Sequence, residues 1–383
     1  MKYNIWNKWD PLEVCMLGNN YAPEFFDGIP NKAGDPLKRI CEETLEDLEG
    51  YKNILQDFGV EVIQPIMDNK ERFLDSPHRT PRGPLQPRDY QLVLGNTCFV
   101  SEGYDHPSII DRLKNYAPVN CVGSQGDFPY YFSDKTYNII KGKDFPTYEQ
   151  FLENKTNKHY FEDFVWEELV EFSDGFKGLS SATCFMIGKQ LYIGIDKDNK
   201  TRDIDIKEYK RNLPEFDKFD ILVSPMDGHS DANFHPIKPG AILSLYDVQT
   251  YDETFPGWDI CYLPNQSWSK VKPFLTLKAK NEGKWWLAGE EDNSEFTNFV
   301  ETWLQDWVGY VEETVFDVNV LMLDEYHCCV SNPNNEQVNT FLKKHKVEPI
   351  YVPWRHRFFW DGGLHCITLD LKRRGQQQDY FGD

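Results

Sequence analysis

Short β-rich runs that end at proline or glycine recur along the whole 383-residue chain. Each is rich in Val, Ile or Tyr, which favour strands, and stops at a residue that interrupts a sheet ladder. Five such runs occur, at 60–65, 118–123, 220–225, 259–264 and 348–353. Recurrence on this scale predicts a fold built from repeated units.

Most of these runs follow a hairpin-like pair of apolar segments, at 92–100, 184–193 and 320–330. Gly-Asn and Gly-Lys at two hairpin centres suit tight turns. Helical periodicity then fills the interval before the final strand. The first helix is predicted to have Asp35 as its N-cap and Pro36 as its first residue, and to end at Gly59. Hairpin, helix and strand, repeated about five times, predict a closed ring of α/β units.

A stripe of aromatic and apolar residues over 294–311 predicts one further helix, whose spacing is typical of core packing. It falls between the fourth and fifth units. Because no linker rich in Gly or Ser divides the chain, we expect a single domain over 1–383, with a helical insertion around 283–312.

The net charge of −21 argues against nucleic acid as a partner, because phosphate binding needs clustered Lys and Arg. No window approaches the ~18 apolar residues that a membrane span needs. Nine cysteines, an odd number with several in apolar runs, favour a reducing compartment over a disulfide framework. With no apolar signal core at the N-terminus, we expect a cytoplasmic protein. A homodimer is one of the oligomeric states that the sequence leaves open.

Four side chains from distant segments could form a catalytic site. Cys366 follows two glycines on an apolar, strand-like segment and could be a nucleophile if its thiolate is favoured. On an extended segment His365 would point to the opposite face, so His229 is the better candidate for the base. Asp231, two residues further on, would share the face of His229, and Asp89 lies at the start of another strand. A buried inert thiol and a simple turn remain the alternatives for Cys366 and the 229–231 segment.

Two carboxylates and a thiolate suit a guanidinium group. That group is planar and cationic, and its N–H groups form short charge-assisted bonds with carboxylates. Its positive charge also favours a thiolate, and its central carbon is the electrophile. No metal-binding, dinucleotide or phosphate-loop motif occurs in the sequence, so neither a metal nor another cofactor is expected.

Four segments resemble the amidinotransferase branch of the pentein superfamily, and within it the glycine amidinotransferases. These are Pro-Arg-Asp at 87–89 with the strand after it, His-Ser-Asp-Ala-Asn-Phe at 229–234, Asn-Val-Leu-Met-Leu-Asp-Glu at 319–325, and Gly-Gly-Leu-His-Cys at 362–366 with the strand that ends at 375. The last two are highly specific, and the resemblance runs from about Trp9 to the end of the chain.

The resemblance implies an α/β fold, a fivefold pseudosymmetric propeller of ββαβ units with the site on its axis. It implies Cys366 as nucleophile, His229 as general acid and base, and Asp89 and Asp231 as ligands of the guanidinium. L-Arginine would donate the amidino group and a small primary amine such as glycine would accept it, through an amidino-cysteine intermediate.

This chain departs from the family pattern at three positions. Ser180 stands where the family has an acid behind its histidine, and Asp174 is a second candidate for orienting His229. Val248 replaces the arginine that binds the donor's carboxylate, and Glu313 falls near a family serine. Arg355 or Arg357 would be the replacement cation, although surface charge is the simpler interpretation of both.

Two other functions stay open from the sequence. An arginine deiminase or dimethylarginine-type hydrolase would use the same residues with water as the acceptor. A non-catalytic pentein binding protein would need no thiol, histidine and paired aspartates in register, so their joint presence favours an enzyme.

Overall fold

The computed structural model describes residues 2–68, 70–75, 82–101, 106–122, 180–194, 214–224, 230–245, 251–263, 286–304, 307–308 and 315–382. Within them the strands are β1 Leu12–Leu17, β2 Glu61–Ile63, β3 Gln91–Leu94, β4 Thr97–Ser101, β5 Asn120–Val122, β6 Cys184–Ile187, β7 Gln190–Gly194, β8 Asp220–Ser224, β9 Phe234–Lys238, β10 Ala241–Ser244, β11 Asp259–Tyr262, β12 Leu321–Asp324, β13 His327–Val330, β14 Glu348–Tyr351 and β15 Thr368–Arg373.

The longer helices are α1 Asn31–Asp57, α2 Pro107–Tyr116, α3 Ser294–Trp303 and α4 Glu336–Lys344. Single-turn α-helices span Tyr251–Thr254, Val315–Val318 and Arg357–Trp360. Short 3-10 helices span Pro23–Phe26, Phe73–Asp75, Pro214–Lys218 and Ser230–Ala232. None of the described helices has the length and hydropathy that crossing a membrane requires.

The strands form five three-stranded sheets of one design, in the orders β15–β1–β2, β3–β4–β5, β6–β7–β8, β9–β10–β11 and β12–β13–β14. In each sheet the middle strand pairs antiparallel with one neighbour and parallel with the other. All five predicted β-rich runs are the parallel outer strands. A parallel pair needs a crossover connection, and helices α1, α2 and α4 lie in such connections.

The first helix begins earlier than predicted. The carbonyl of Pro30 accepts the N–H groups of Ala33 and Gly34, so α1 starts at Asn31 and Pro36 lies inside it. Its end agrees with the prediction, because Gly59 adopts φ +80°, a left-handed conformation that glycine tolerates.

The predicted aromatic helix is present as α3 and is shorter than its sequence stripe. Phe296, Phe299 and Val300 are buried in the core cluster that also holds the apolar face of α1. Asn293 caps α3 through its side-chain oxygen and donates to the carbonyl of Lys32, so α3 is tied to the start of α1. The single-domain interpretation stays a prediction.

Asp370 and Arg373 of β15 form a buried ion network with Arg88. Asp370 accepts from Nη2 of Arg88 at 2.5 Å and from Nε of Arg373 at 2.7 Å. Nε of Arg88 donates to the carbonyls of His365 (2.7 Å) and Thr368 (2.8 Å). Burial alone would raise the pKa of Asp370, but the cations of Arg373, Arg88 and Lys8 hold it far below its usual range. The network therefore joins the segment before β3 to the segment before β15.

Replacing Asp370 with Asn should destabilise the protein by about 3–5 kcal/mol, because two buried arginines lose their shared carboxylate. Chemical denaturation monitored by intrinsic fluorescence measures the change. Asp379→Asn, at an exposed carboxylate that pairs with Lys189, is the matched control and should leave the midpoint unchanged. Equal midpoints for Asp370→Asn and wild type would contradict this role of the network.

Candidate functional site

Cys366 lies in a tight turn at the entrance to β15, and this differs from the predicted apolar strand. The N–H of Ile367 bonds the carbonyl of Gly363 (3.2 Å), and the N–H of Thr368 bonds that of His365 (3.2 Å). The turn brings neighbouring side chains together, whereas a strand would alternate them. The prediction that His365 points away from Cys366 is therefore wrong.

Asp231 connects these two residues. Its Oδ2 lies 3.5 Å from Sγ of Cys366 and 3.0 Å from Nδ1 of His365. Asp231 and His365 are fully buried, and Cys366 is 7% exposed. Asp231 belongs to the 3-10 turn Ser230–Ala232, so of the two conformations left open for this segment the structure shows the turn at Asp231.

Asn319 is a member of the site that the sequence reasoning missed. Its Nδ2 donates to Sγ of Cys366 (3.0 Å) and to the carbonyl of Asp231 (3.2 Å). Its Oδ1 accepts the N–H groups of His365 (2.9 Å) and Cys366 (3.1 Å). A methyl group on Gly363 would overlap Asn319, so glycine is required there for close approach. The 319–325 motif contained the signal but was assigned only to a hairpin.

Asp89 lies at the same site, two residues before β3 as predicted. Its negative charge acts on the thiol of Cys366 and raises the pKa of that group, after burial and Asp231. Nη2 of Arg82 lies 3.6 Å from its Oδ2. Gln86 ties this segment to the loop before Cys366 by donating to the carbonyls of Trp360 and Asp361, both at 2.8 Å.

Ser180 is buried in a turn next to that of Asp231. Its Oγ accepts the N–H of Ala182 (3.2 Å), and the carbonyl of Ala182 accepts the N–H of Asp231 (3.1 Å). The structure thus places Ser180 beside the turn Ser230–Ala232. His229 and Asp174 themselves lie outside the described residues, so their roles, and that of Ser180 toward His229, stay predictions.

Arg355 does not face this site. Its Nε donates to Oδ1 of Asp47 (2.9 Å) and its Nη2 to Oε2 of Glu46 (2.7 Å), so it fixes its loop to α1. Arg357 lies 3.5 Å from Oγ of Ser331 and stacks on Phe358. Val248 and Glu313 are outside the described residues.

The described site residues share one structural position. Each stands two to four residues before the first strand of a different sheet: Asp89 before β3, Ser180 before β6, Asp231 before β9, Asn319 before β12 and Cys366 before β15. All five sheets therefore contribute one polar side chain from the same edge of the repeated unit.

The environment of Cys366 disfavours its thiolate form. Burial raises its pKa well above the usual range, and Asp231 and Asp89 raise it further, while the N–H of Gly363 and the amide of Asn319 lower it. A cation bound between the carboxylates and the sulfur would offset this repulsion and lower the pKa of the thiol. Among the described residues, no group of three or more His, Cys, Asp or Glu could hold a metal ion.

The sequence of this chain is similar to those of curated amidinotransferases. Over 98% of the chain and 84% of the relative, the sequence is 25% identical to the mitochondrial glycine amidinotransferase of Xenopus tropicalis. It is 24% identical to an L-arginine:L-lysine amidinotransferase of Pseudomonas savastanoi pv. phaseolicola, over 97% of the chain and 88% of the relative. No family model matches.

The fold is also shared with a solved amidinotransferase. The structure of SxtG, from the saxitoxin biosynthetic pathway of Microseira wollei, matches over 100% of both chains with a TM-score of 0.61 and 20% identity. The resemblance to amidinotransferases is confirmed. The predicted α/β fold is confirmed as one shared with this amidinotransferase. The curated relatives confirm the predicted class of enzyme, a transferase of amidino groups.

Replacing Asp231 with Asn should make Cys366 more reactive in the absence of substrate. Removing the carboxylate's repulsion lowers the pKa of the thiol, so at pH 8 the thiolate fraction should rise by roughly three- to tenfold. The rate of iodoacetamide labelling at Cys366, followed by peptide mass spectrometry, measures this. Cys366→Ala identifies the labelled peptide. Slower labelling of the Asp231→Asn variant would refute this electrostatic account.

Proposed function

We propose that this chain moves the amidino group of L-arginine to a small primary amine such as glycine, with ornithine and a guanidino acid as products. The names of two relatives, a glycine amidinotransferase and an L-arginine:L-lysine amidinotransferase, support this substrate class. The proposal assigns Cys366 as nucleophile, His229 as general acid and base, and Asp89 and Asp231 as ligands of the guanidinium.

One observation carries the proposal: the thiol of Cys366 lies 3.5 Å from the buried carboxylate of Asp231, with the carboxylate of Asp89 close enough to raise its pKa. Without a ligand this arrangement suppresses the nucleophile. A guanidinium bound by both carboxylates supplies the missing positive charge and places its electrophilic carbon beside the sulfur. The substrate itself then favours the thiolate that attacks it, and Asn319 stabilises that thiolate by its N–H.

The reaction proceeds in two steps that share one intermediate. The proton of the Cys366 thiol passes to His229, and the thiolate forms a bond to the guanidinium carbon. The bond from that carbon to the ornithine nitrogen breaks, and His229 gives the proton to the departing amine. An amidino-cysteine remains. The acceptor amine, deprotonated by His229, attacks the same carbon, and the thiolate leaves as the guanidino acid forms.

We further propose that the five sheets close into a fivefold propeller with this site on its axis. The equivalent positions of Asp89, Ser180, Asp231, Asn319 and Cys366, one per sheet, support a common centre. The sheet β15–β1–β2 supports closure, since it joins the first and last strands of the described chain.

We also propose that the protein is cytoplasmic. The eight described cysteines are all free and buried, which agrees with a reducing compartment.

Mixing the purified protein with L-arginine should give an amidino adduct on Cys366 and, when glycine or another small primary amine is added, ornithine together with the guanidino acid. Intact-protein mass and chromatography of the products measure both steps. Cys366→Ala should form no adduct, whereas Cys328→Ala, at another buried cysteine, should retain it. Citrulline as the main product would show that the enzyme hydrolyses arginine and does not transfer its amidino group. Absence of both the adduct and turnover would contradict the mechanism.

A further inference from the structure

His365 is a buried polar residue for which the reaction above has no role. Its Nδ1 lies 3.0 Å from Oδ2 of Asp231, the same oxygen that lies 3.5 Å from Sγ of Cys366. Its ring lies parallel to Phe185, with centroids 6.1 Å apart, and against the edge of His235 at 4.9 Å. Two aromatic neighbours therefore fix the plane of the imidazole that meets the carboxylate.

The surroundings keep this imidazole neutral. Burial lowers the pKa of His365 well below its usual range, and Arg88, Lys8, His235 and Arg373 lower it further. Asp231 is the carboxylate that contacts it directly. A neutral imidazole carries one ring proton, and beside a carboxylate that proton belongs on Nδ1, where it can be donated. Nε2 has no hydrogen-bond partner among the described residues.

The backbone of His365 is held as firmly as its ring. Its carbonyl accepts from Nε of the buried Arg88 at 2.7 Å, and its N–H donates to Asn319 at 2.9 Å. The backbone of His365 is thus held on both sides, and this fixes the position from which Nδ1 meets Asp231.

We propose that His365 is a positioning residue: as a neutral donor it fixes the carboxylate of Asp231 in the orientation that receives the guanidinium and sets its distance from Cys366. The inference rests on the proposed function for the identity of the cation. The distance between the carboxylate of Asp231 and the sulfur of Cys366 does not depend on which cation binds. A histidine adjacent to the nucleophile thereby acts through Asp231 without exchanging a proton with the substrate.

His365→Asn and His365→Leu form a matched pair. Asn and Leu have similar shapes, and Nδ2 of Asn stands the same number of bonds from Cα as Nδ1 of histidine, so the two variants differ chiefly in the donor. His365→Gln places its donor one bond further out and serves if His365→Leu does not fold. His345→Leu is the control, since it removes a histidine–aspartate bond, to Asp259, at the surface.

The first measurement is iodoacetamide labelling of Cys366 at pH 8 without substrate. His365→Leu and His365→Gln should label several-fold faster than wild type, because Asp231 is no longer held against the sulfur, while His365→Asn should stay within about twofold. In the Asp231→Asn background, His365→Leu should add nothing. Equal rates for Leu and Asn, or a full effect of His365→Leu in that background, would overturn the proposal.

The second measurement is arginine affinity by isothermal titration. His365→Leu should weaken binding by roughly tenfold or more, as expected for loss of a hydrogen bond to a charged group, and His365→Asn should restore most of it. His345→Leu should bind as wild type does. Wild-type protein that binds no arginine would contradict the proposed function, and the labelling experiment would then still decide the role of His365.

Discussion

The buried contact between Arg88 and Asp370 is the interaction on which the site depends. An unpaired arginine in the interior would be very costly, so Arg88 must keep its carboxylate, and Asp370 is shared with Arg373. The single Nε–H of Arg88 is shared between the carbonyls of His365 and Thr368, the residues that flank Cys366 and Ile367. The conformation of the turn that carries Cys366 is therefore stabilised by the buried charges of Arg88 and Asp370. Arg88 is also the neighbour of Asp89, so one network positions residues from two sheets.

The repeated architecture was readable from the sequence because its signals are local. Apolar runs that end at proline or glycine, and turn residues between paired runs, are decided by a few neighbouring residues, and all five predicted outer strands are present. The start of α1 was not readable in this way. It depends on the carbonyl of Pro30, which accepts two helical N–H groups, while the Asp-Pro pair that suggested a start lies one turn further on.

The candidate site was predicted in its residue types and only partly in its geometry. Cys366, Asp231 and Asp89 could be chosen because thiolate and carboxylate chemistry point to a guanidinium. His365 was set aside since an extended segment would turn it away, and the turn that brings it to Asp231 is fixed by distant groups, Asn319 and Arg88. Asn319 carries no chemistry that singles it out along the chain. Its importance arises from four hydrogen bonds that exist only in the folded protein.

The pairing of β1 with β15 has a consequence for how the protein is made. Leu17 and Thr368 are partners in that ladder, although about 350 residues of chain separate them. During synthesis β1 must remain without this neighbour until the intervening residues have been made, and Cys366 precedes β15 by two residues. Pairing of β1 with β15 and formation of the turn that carries Cys366 are thus expected to be coupled events in biogenesis. In the interval β1 has an exposed edge, which is a natural target for chaperones.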